Sequence, residues 1–246
     1  MMNRSIRIGL VVPFAEDRVP NEGPIMYPHV TFIPHGTGVG SLTPEGYDQA
    51  FYKIVPAADN LAKRGVDAIM VIGTSLTFYR GPEFNEYLIR EIHKRTALPV
   101  STMSTAIVDG LREVDAERVA VATAYTKVVN DKLKDLLTYH GFDVRSLESF
   151  GITEFGGGAV RKTEDEIIEL AIKARDEAPD AEAILISCGG LRTLNVAKPL
   201  EERCGLPVVS STPAAFWAAM RLVGESGRLS GYGRLLEHAR VPETVH

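Results

Sequence analysis

Short apolar runs rich in Val and Ile alternate with longer stretches of helical periodicity along this chain of 246 residues. The first run is "IRIGLVVP" near the N-terminus, and the last is "LPVVSS" before residue 212. Strands that are buried on both faces read as continuous apolar runs, and parallel strands require a crossover connection, usually a helix. The sequence therefore predicts an α/β fold with mostly parallel sheets.

Two pairs of matched segments occur in the same order along the chain. "AIMVIGTSL" (residues 68–76) matches "AILISCGGL" (183–191), and "LPVSTMSTA" from Leu98 matches "LPVVSSTPA" from Leu206. Repetition of this kind indicates a duplicated structural unit. We therefore predict a first half over residues 1–115 and a second half over residues 116–212, with residues 213–246 packing back on the first.

The charge and composition exclude several classes of partner. The net charge is -5, and no cluster of Lys and Arg suggests a nucleic acid or an anionic membrane as partner. Two cysteines are too few for a disulfide framework, and no long apolar run suggests a secretory signal or a membrane span. We expect a cytoplasmic, monomeric protein that binds a small molecule.

The remaining polar motifs do not indicate a metal or a cofactor. The six histidines are scattered without the spacing of metal ligands, and "GTGVG" (36–40) lacks the Lys-Ser/Thr of a phosphate-binding loop. Arg80 could attract an anionic substrate, but a solvated arginine at a helix start is the preferred interpretation. We expect neither a metal site nor a cofactor.

The matched segments predict an anion site. In open parallel sheets, ligands bind beyond the carboxyl ends of the strands. Residues 73–75, 101–105, 188–190 and 210–213 follow predicted strands, so we expect them to meet in a cleft between the halves. Backbone N–H groups and hydroxyls there could hold a carboxylate, and would hold an enediolate more tightly.

Cys188 lies within this predicted site and has two interpretations. It could be a small buried hydrophobic residue, or an acid beside the bound anion. Its position between a strand and two glycines favours the second, and we expect a bound anion to keep the thiol protonated. The repeat aligns Gly73 with Cys188, which leaves one thiol where two would allow racemisation. One thiol protonates a planar enolate from one face, and loss of CO2 from a malonate would generate such an enolate.

The segments "GTSLTFYRG", "TMSTA", "ATAY", "SCGGL" and "PVVSSTPAAFW" resemble the arylmalonate decarboxylase family of the aspartate/glutamate racemase superfamily, to which maleate isomerases also belong. The resemblance implies two pseudo-symmetric, flavodoxin-like halves, each a mostly parallel four-stranded sheet flanked by helices, with the active site in the cleft between them. It also implies a cofactor-free carboxy-lyase that converts 2-aryl-2-substituted malonates enantioselectively into 2-arylalkanoates and CO2.

The resemblance assigns roles to individual residues. Cys188 is the implied proton donor, and Gly73 stands where the racemases carry a second cysteine. The implied dioxyanion hole comprises Thr74, Ser75, Tyr125, Gly189 and Gly190. A small apolar pocket for the departing carboxylate comprises Pro13, Val39, Leu42, Tyr47, Leu76 and Phe155.

One segment departs from the family pattern. Within residues 150–162, Gly156, Gly157 and Gly158 replace bulkier residues of the family. We therefore expect the small apolar pocket to differ in shape from that of the family, and this glycine-rich segment could be mobile and act as a lid. Two alternative functions stay open. The first is a maleate cis-trans isomerase or an amino-acid racemase of the same superfamily, although both use a cysteine where Gly73 stands. The second is a non-catalytic carboxylate-binding protein.

Overall fold

The computed structural model describes residues 5–39, 44–153 and 158–238. Each predicted apolar run forms a strand. The strands are β1 (Arg7–Val12), β2 (Thr31–Gly36), β3 (Ala68–Val71), β4 (Val100–Thr102), β5 (Arg118–Thr123), β6 (Asp143–Ser149), β7 (Ala183–Ser187) and β8 (Val208–Ser210). The helices are α1 (Glu22–Met26), α2 (Pro44–Lys63), α3 (Thr74–Phe78), α4 (Pro82–Thr96), α5 (Met103–Glu113), α6 (Lys127–Tyr139), α7 (Glu164–Asp176), α8 (Ala197–Cys204), α9 (Ser211–Leu222) and α10 (Arg234–Glu237).

The strands form two parallel sheets of identical topology. The first has the order β2-β1-β3-β4, and the second has the order β6-β5-β7-β8. Every pairing between neighbouring strands is parallel. The predicted α/β fold with two four-stranded parallel sheets is therefore confirmed, and β3 and β7 occupy equivalent inner positions.

Alternate residues of the inner strands β1, β3, β5 and β7 enter different cores. Leu10 and Met70 of the first sheet share one core with Leu185 of the second, so this core joins the two sheets. Val11 and its neighbours on the opposite face pack against α2 and α4. Ile184 packs on the outer side of the second sheet with residues of α7 and α8. Burial of both faces explains why the strands lack polar alternation.

Helix α9 follows the second sheet in sequence but packs against α5 and against strands β3 and β4 of the first. Its residues Phe216 and Trp217 are fully buried in the core shared by both sheets. The division of the chain after residues 115 and 212 stays a prediction. Among the described helices, none is long and apolar enough to cross a membrane.

Candidate active site

A cavity of about 370 Å³ opens at the carboxyl ends of β3 and β7. Residues from both halves of the chain form its walls. The predicted site residues that line it are Pro13, Val39, Tyr47, Gly73, Thr74, Ser75, Leu76, Tyr125, Cys188, Gly189 and Gly190. The other two predicted pocket residues, Leu42 and Phe155, lie outside the described residues.

Gly73 turns the chain sharply between β3 and α3. Its φ of 117° is a conformation that L side chains rarely adopt, which accounts for a glycine at this position. Helix α3 then begins at Thr74, and the first N–H groups of a helix have no partner within the helix. Within the described chain, no acceptor is bonded to the N–H of Thr74 or of Ser75. These two donors are free to hold an anion.

Three buried hydroxyls behind the cavity wall hold Thr74. The Ser104 Oγ donates to the Thr74 carbonyl at 3.0 Å, and the Thr77 Oγ1 lies 3.1 Å from the same oxygen. The Thr74 hydroxyl in turn donates to the Ser211 Oγ at 3.0 Å. Because the carbonyl and N–H of a trans peptide point in opposite directions, the anchored carbonyl turns the Ser75 N–H away from this wall.

The segments that supply Ser104 and Ser211 had been predicted at the cleft itself. The structure describes both segments, 101–105 and 210–213, and places them behind the cavity wall. Strand order predicts which loops meet at one end of a sheet, but not which of them reach the surface. Their side chains therefore support the residues that line the cavity.

Cys188 follows β7, is half-buried and lines the cavity. Burial raises the pKa of its thiol above the usual value, although the Gly190 N–H, which lies 3.4 Å from Sγ, opposes that shift by stabilising the thiolate. Desolvation is the larger effect, so the group is a protonated thiol at neutral pH. A bound anion would favour the thiol further.

Tyr125 and the paired glycines complete the walls around Cys188. The Tyr125 side chain is buried, its hydroxyl lies 3.4 Å from the Ser187 Oγ, and burial raises the pKa of this hydroxyl well above its usual value. It can therefore donate a hydrogen bond but does not ionise at neutral pH. A Cβ at Gly189 would lie 3.3 Å from the Met103 Sδ, so the absence of a side chain leaves room for that methionine.

The outer part of the cavity includes residues that the sequence analysis missed. Ile25 of α1 and Val160, on opposite halves, are both large exposed apolar side chains at the cavity. Glu22 and Arg192 also line it, and burial raises the pKa of Glu22 while Arg192 lowers it. Nothing in the sequence pattern of residues 19–25 distinguishes this segment from an ordinary surface turn.

Part of the glycine-rich segment belongs to this wall. A Cβ at Gly158 would come within 2.4 Å of the Ile152 Cγ2, so this glycine permits a close approach of the two residues. Ile152 and Ala159 both line the cavity. Gly156 and Gly157 lie outside the described residues, and the predicted lid stays a prediction.

Arg80 is exposed, as expected from the sequence, but its side chain also makes specific contacts. Its guanidinium bonds to Asp48 of α2 with an Nε to Oδ1 distance of 3.0 Å and stacks on Phe51 at 4.4 Å from the ring centroid. It thereby fastens α2 to the end of α3. Within residues 5–39, 44–153 and 158–238, no three His, Cys, Asp or Glu side chains are grouped as metal ligands.

Comparison with known proteins agrees with these features. The sequence model of the arylmalonate decarboxylase family matches residues 8–236. The chain is 43% identical to the arylmalonate decarboxylase of Bordetella bronchiseptica over 94% of its length and 97% of that enzyme. It is 27% identical to a maleate isomerase of Nocardia farcinica over 94% of its length and 95% of that protein.

Solved structures give the same result. A double mutant of arylmalonate decarboxylase in its liganded form superposes with a TM-score of 0.92 at 42% identity, covering 95% of this chain and 99% of that one. A maleate isomerase of Pseudomonas putida S16 with maleate shares the fold, with a TM-score of 0.89 at 21% identity over 96% of this chain and 99% of that one. The chain therefore belongs to the arylmalonate decarboxylase family and is a carboxy-lyase.

Proposed function

We propose that this protein catalyses cofactor-independent, enantioselective decarboxylation of 2-aryl-2-substituted malonates, with Cys188 as the proton donor. The observation that carries the proposal is that the Cys188 thiol, whose pKa is raised by burial, lies in the same cavity as the free N–H groups of Thr74 and Ser75. A carbanion stabilised by those donors would meet an acid within one cavity. The aligned position in the other half, Gly73, supplies no second acid.

One malonate carboxylate would be held by the N–H groups of Thr74, Ser75 and Gly189 and by the Tyr125 hydroxyl. The other would enter the pocket formed by Val39, Leu76 and their neighbours, both of which are buried. An unpaired carboxylate in apolar surroundings is unfavourable by several kcal/mol, and its loss as neutral CO2 removes that cost.

The reaction begins with cleavage of the bond between the α-carbon and the second carboxylate. CO2 leaves, and the bonding electron pair stays on the α-carbon and spreads onto the first carboxylate as an enediolate. Donors positioned at the retained carboxylate stabilise the enediolate more than the substrate, since its oxygens carry more charge. The Cys188 S–H then transfers its proton to the α-carbon, and solvent reprotonates the thiolate.

Enantioselectivity would follow from the single thiol. The enediolate is planar, and only the face towards Cys188 has an acid beside it. Gly73 leaves the opposite side unobstructed by a side chain, which gives the aryl group space. A racemase or a maleate isomerase needs a cysteine at that position, and the absence of one disfavours this alternative.

Product analysis separates the alternatives. Purified protein would be incubated with phenylmalonate, maleate and aspartate in parallel. Release of CO2 from phenylmalonate alone supports the proposal, whereas fumarate from maleate or D-aspartate from L-aspartate supports the isomerase or racemase. Thermal stabilisation by all three without turnover would indicate a binding protein.

The two cysteines provide a matched pair of variants. Cys188→Ala should lose nearly all CO2 release while still binding phenylacetate, because the anion donors remain. Cys204→Ala should keep full activity, since Cys204 is the last residue of α8 and belongs to the core outside the second sheet. Full turnover in Cys188→Ala would overturn the mechanism.

A further inference from the structure

The Tyr47 hydroxyl is a buried donor that the proposed reaction has not used. The residue is 1% exposed, and its Oη has no hydrogen-bond partner among the described residues. A buried polar group without a partner carries a desolvation penalty that native structures rarely leave uncompensated. Tyr47 lines the cavity, so a bound ligand can supply the missing acceptor.

Packing fixes the ring, and the neighbouring Ser75 side chain lowers the pKa of the hydroxyl without forming a hydrogen bond of normal geometry to it. The Tyr47 ring stacks on Tyr79 with centroids 4.3 Å apart and lies beside Phe51 at 6.4 Å. The bond from Arg80 to Asp48 fastens the same part of α2, one residue away. The hydroxyl is therefore held in place by packing rather than by a hydrogen bond.

The chemistry of this pocket favours an anionic acceptor. Pro13, Val39 and Leu76 line the same cavity and have no side-chain donor, so the side-chain donors beside them are the hydroxyls of Tyr47 and its neighbour Ser75. Burial raises the pKa of the hydroxyl to about 12, and it therefore stays protonated and donates throughout the neutral range. A carboxylate oxygen is the acceptor that such a donor binds most strongly.

We propose that the Tyr47 hydroxyl donates a hydrogen bond to the substrate carboxylate that leaves as CO2, and so selects dicarboxylates for entry into the site. This inference rests on the proposed decarboxylation. The pocket for the departing group is then not wholly apolar. The Tyr47 hydroxyl recognises the second carboxylate, and the apolar walls withhold further stabilisation.

The role has an unusual kinetic consequence. The hydrogen bond is strongest to the intact carboxylate and weakens as that group becomes neutral CO2. It therefore stabilises bound substrate more than the transition state, and an interaction of that kind lowers KM at the expense of kcat. Removing it should weaken substrate binding and accelerate CO2 loss from the bound substrate.

Tyr47→Phe tests this directly, because the ring and its stacking are retained. We expect KM for phenylmalonate to rise about tenfold or more, as for loss of a hydrogen bond to a charged group. The rate of CO2 release in a single turnover at saturating enzyme should rise severalfold. Inhibition by phenylacetate, which lacks the second carboxylate, should be unchanged, and the exposed Tyr87→Phe serves as the control.

Each other outcome overturns the inference. A fall in the single-turnover rate with unchanged KM would mean that Tyr47 assists proton transfer at Cys188 instead. Unchanged constants would mean that a water satisfies the hydroxyl, and equal weakening of phenylmalonate and phenylacetate would indicate a general change of shape. If wild-type protein released no CO2 from phenylmalonate, the proposed function itself would fail, which is a distinct result.

Discussion

Replacing Ser104 by alanine tests whether the buried hydroxyls behind Thr74 position the anion donors. Ser104 is fully buried, and its Oγ both donates to the Thr74 carbonyl and lies 2.6 Å from the Thr77 Oγ1. Alanine removes only the hydroxyl. The Thr77 hydroxyl remains 3.1 Å from the same carbonyl and keeps it partnered. The variant should therefore fold but hold the peptide between Thr74 and Ser75 less firmly.

The expected magnitudes follow from these contacts. Because Thr77 takes over the carbonyl, the net loss is one hydrogen bond, or about 1 kcal/mol of unfolding free energy. For a chain of this size, that loss lowers Tm by about 2–4 °C. Complete removal of an oxyanion donor costs about 100- to 1000-fold in kcat. A donor that is loosened but still present should cost less, and we expect kcat to fall about tenfold.

The assay combines thermal melting with CO2 release from phenylmalonate. Thr105→Ala is the matched control, because Thr105 lies on the same helix and its Oγ1 accepts from the Asn85 Nδ2 at 2.9 Å. The Thr105→Ala variant should show a similar fall in Tm without a change in kcat, because the bond between Asn85 and Thr105 does not involve Thr74. If Ser104→Ala kept kcat within twofold while Tm fell as expected, the hydroxyl would be purely structural and the positioning argument would be wrong.

Two further predictions concern the residues aligned by the repeat. Burial raises the pKa of Cys188, so the proton-donating thiol persists through neutral pH. The rate of CO2 release should therefore decline only above the ordinary thiol pKa of about 8.5. A pH profile in which kcat already declines below pH 8 would contradict this. Gly73→Cys places a side chain at φ 117°, which costs about 1–3 kcal/mol, and should lower Tm and decarboxylation. Its second thiol should also exchange the 2-hydrogen of an arylpropionate in D2O, and no exchange would show that residue 73 does not face Cys188.

Most of the fold could be predicted because burial on both faces leaves a clear sequence signature. Strands such as β3 and β7 are entirely buried, and their residues read as unbroken apolar runs. The internal repeat could be recognised for the same reason, because equivalent buried strands and the turns that follow them have similar sequences. The segment from residue 213 was expected to pack back on the first half, but the particular contacts of α9 with α5, β3 and β4 depend on shape complementarity between distant segments, which one sequence does not display.

The candidate site was predictable where the backbone itself provides the chemistry. Glycines after strands and hydroxyl residues at helix starts identified the loops at 73–75 and 188–190. The supporting hydroxyls of Ser104 and Ser211 could be assigned to this end of the sheets but not to a role, because their depth behind the wall is set by tertiary packing. The outer wall around Ile25 gave no signal, since exposed apolar residues on short turns are common.

The pseudo-symmetry of the halves explains why the proposed anion site has unlike walls. The repeat aligns Thr74 with Gly189 and Met103 with Ser211, and the two pairs make the same contact between segments of opposite halves. On one side, the Ser211 Oγ bonds to the Thr74 hydroxyl; on the other, the Met103 Sδ occupies the space beside Gly189. One pair joins two hydroxyls, while in the other a Cβ at residue 189 would crowd the Met103 Sδ at 3.3 Å. Together with Gly73 in the position aligned with Cys188, this makes the two walls unlike. An acid on one wall only, as proposed for Cys188, is the asymmetry that a product of single handedness requires.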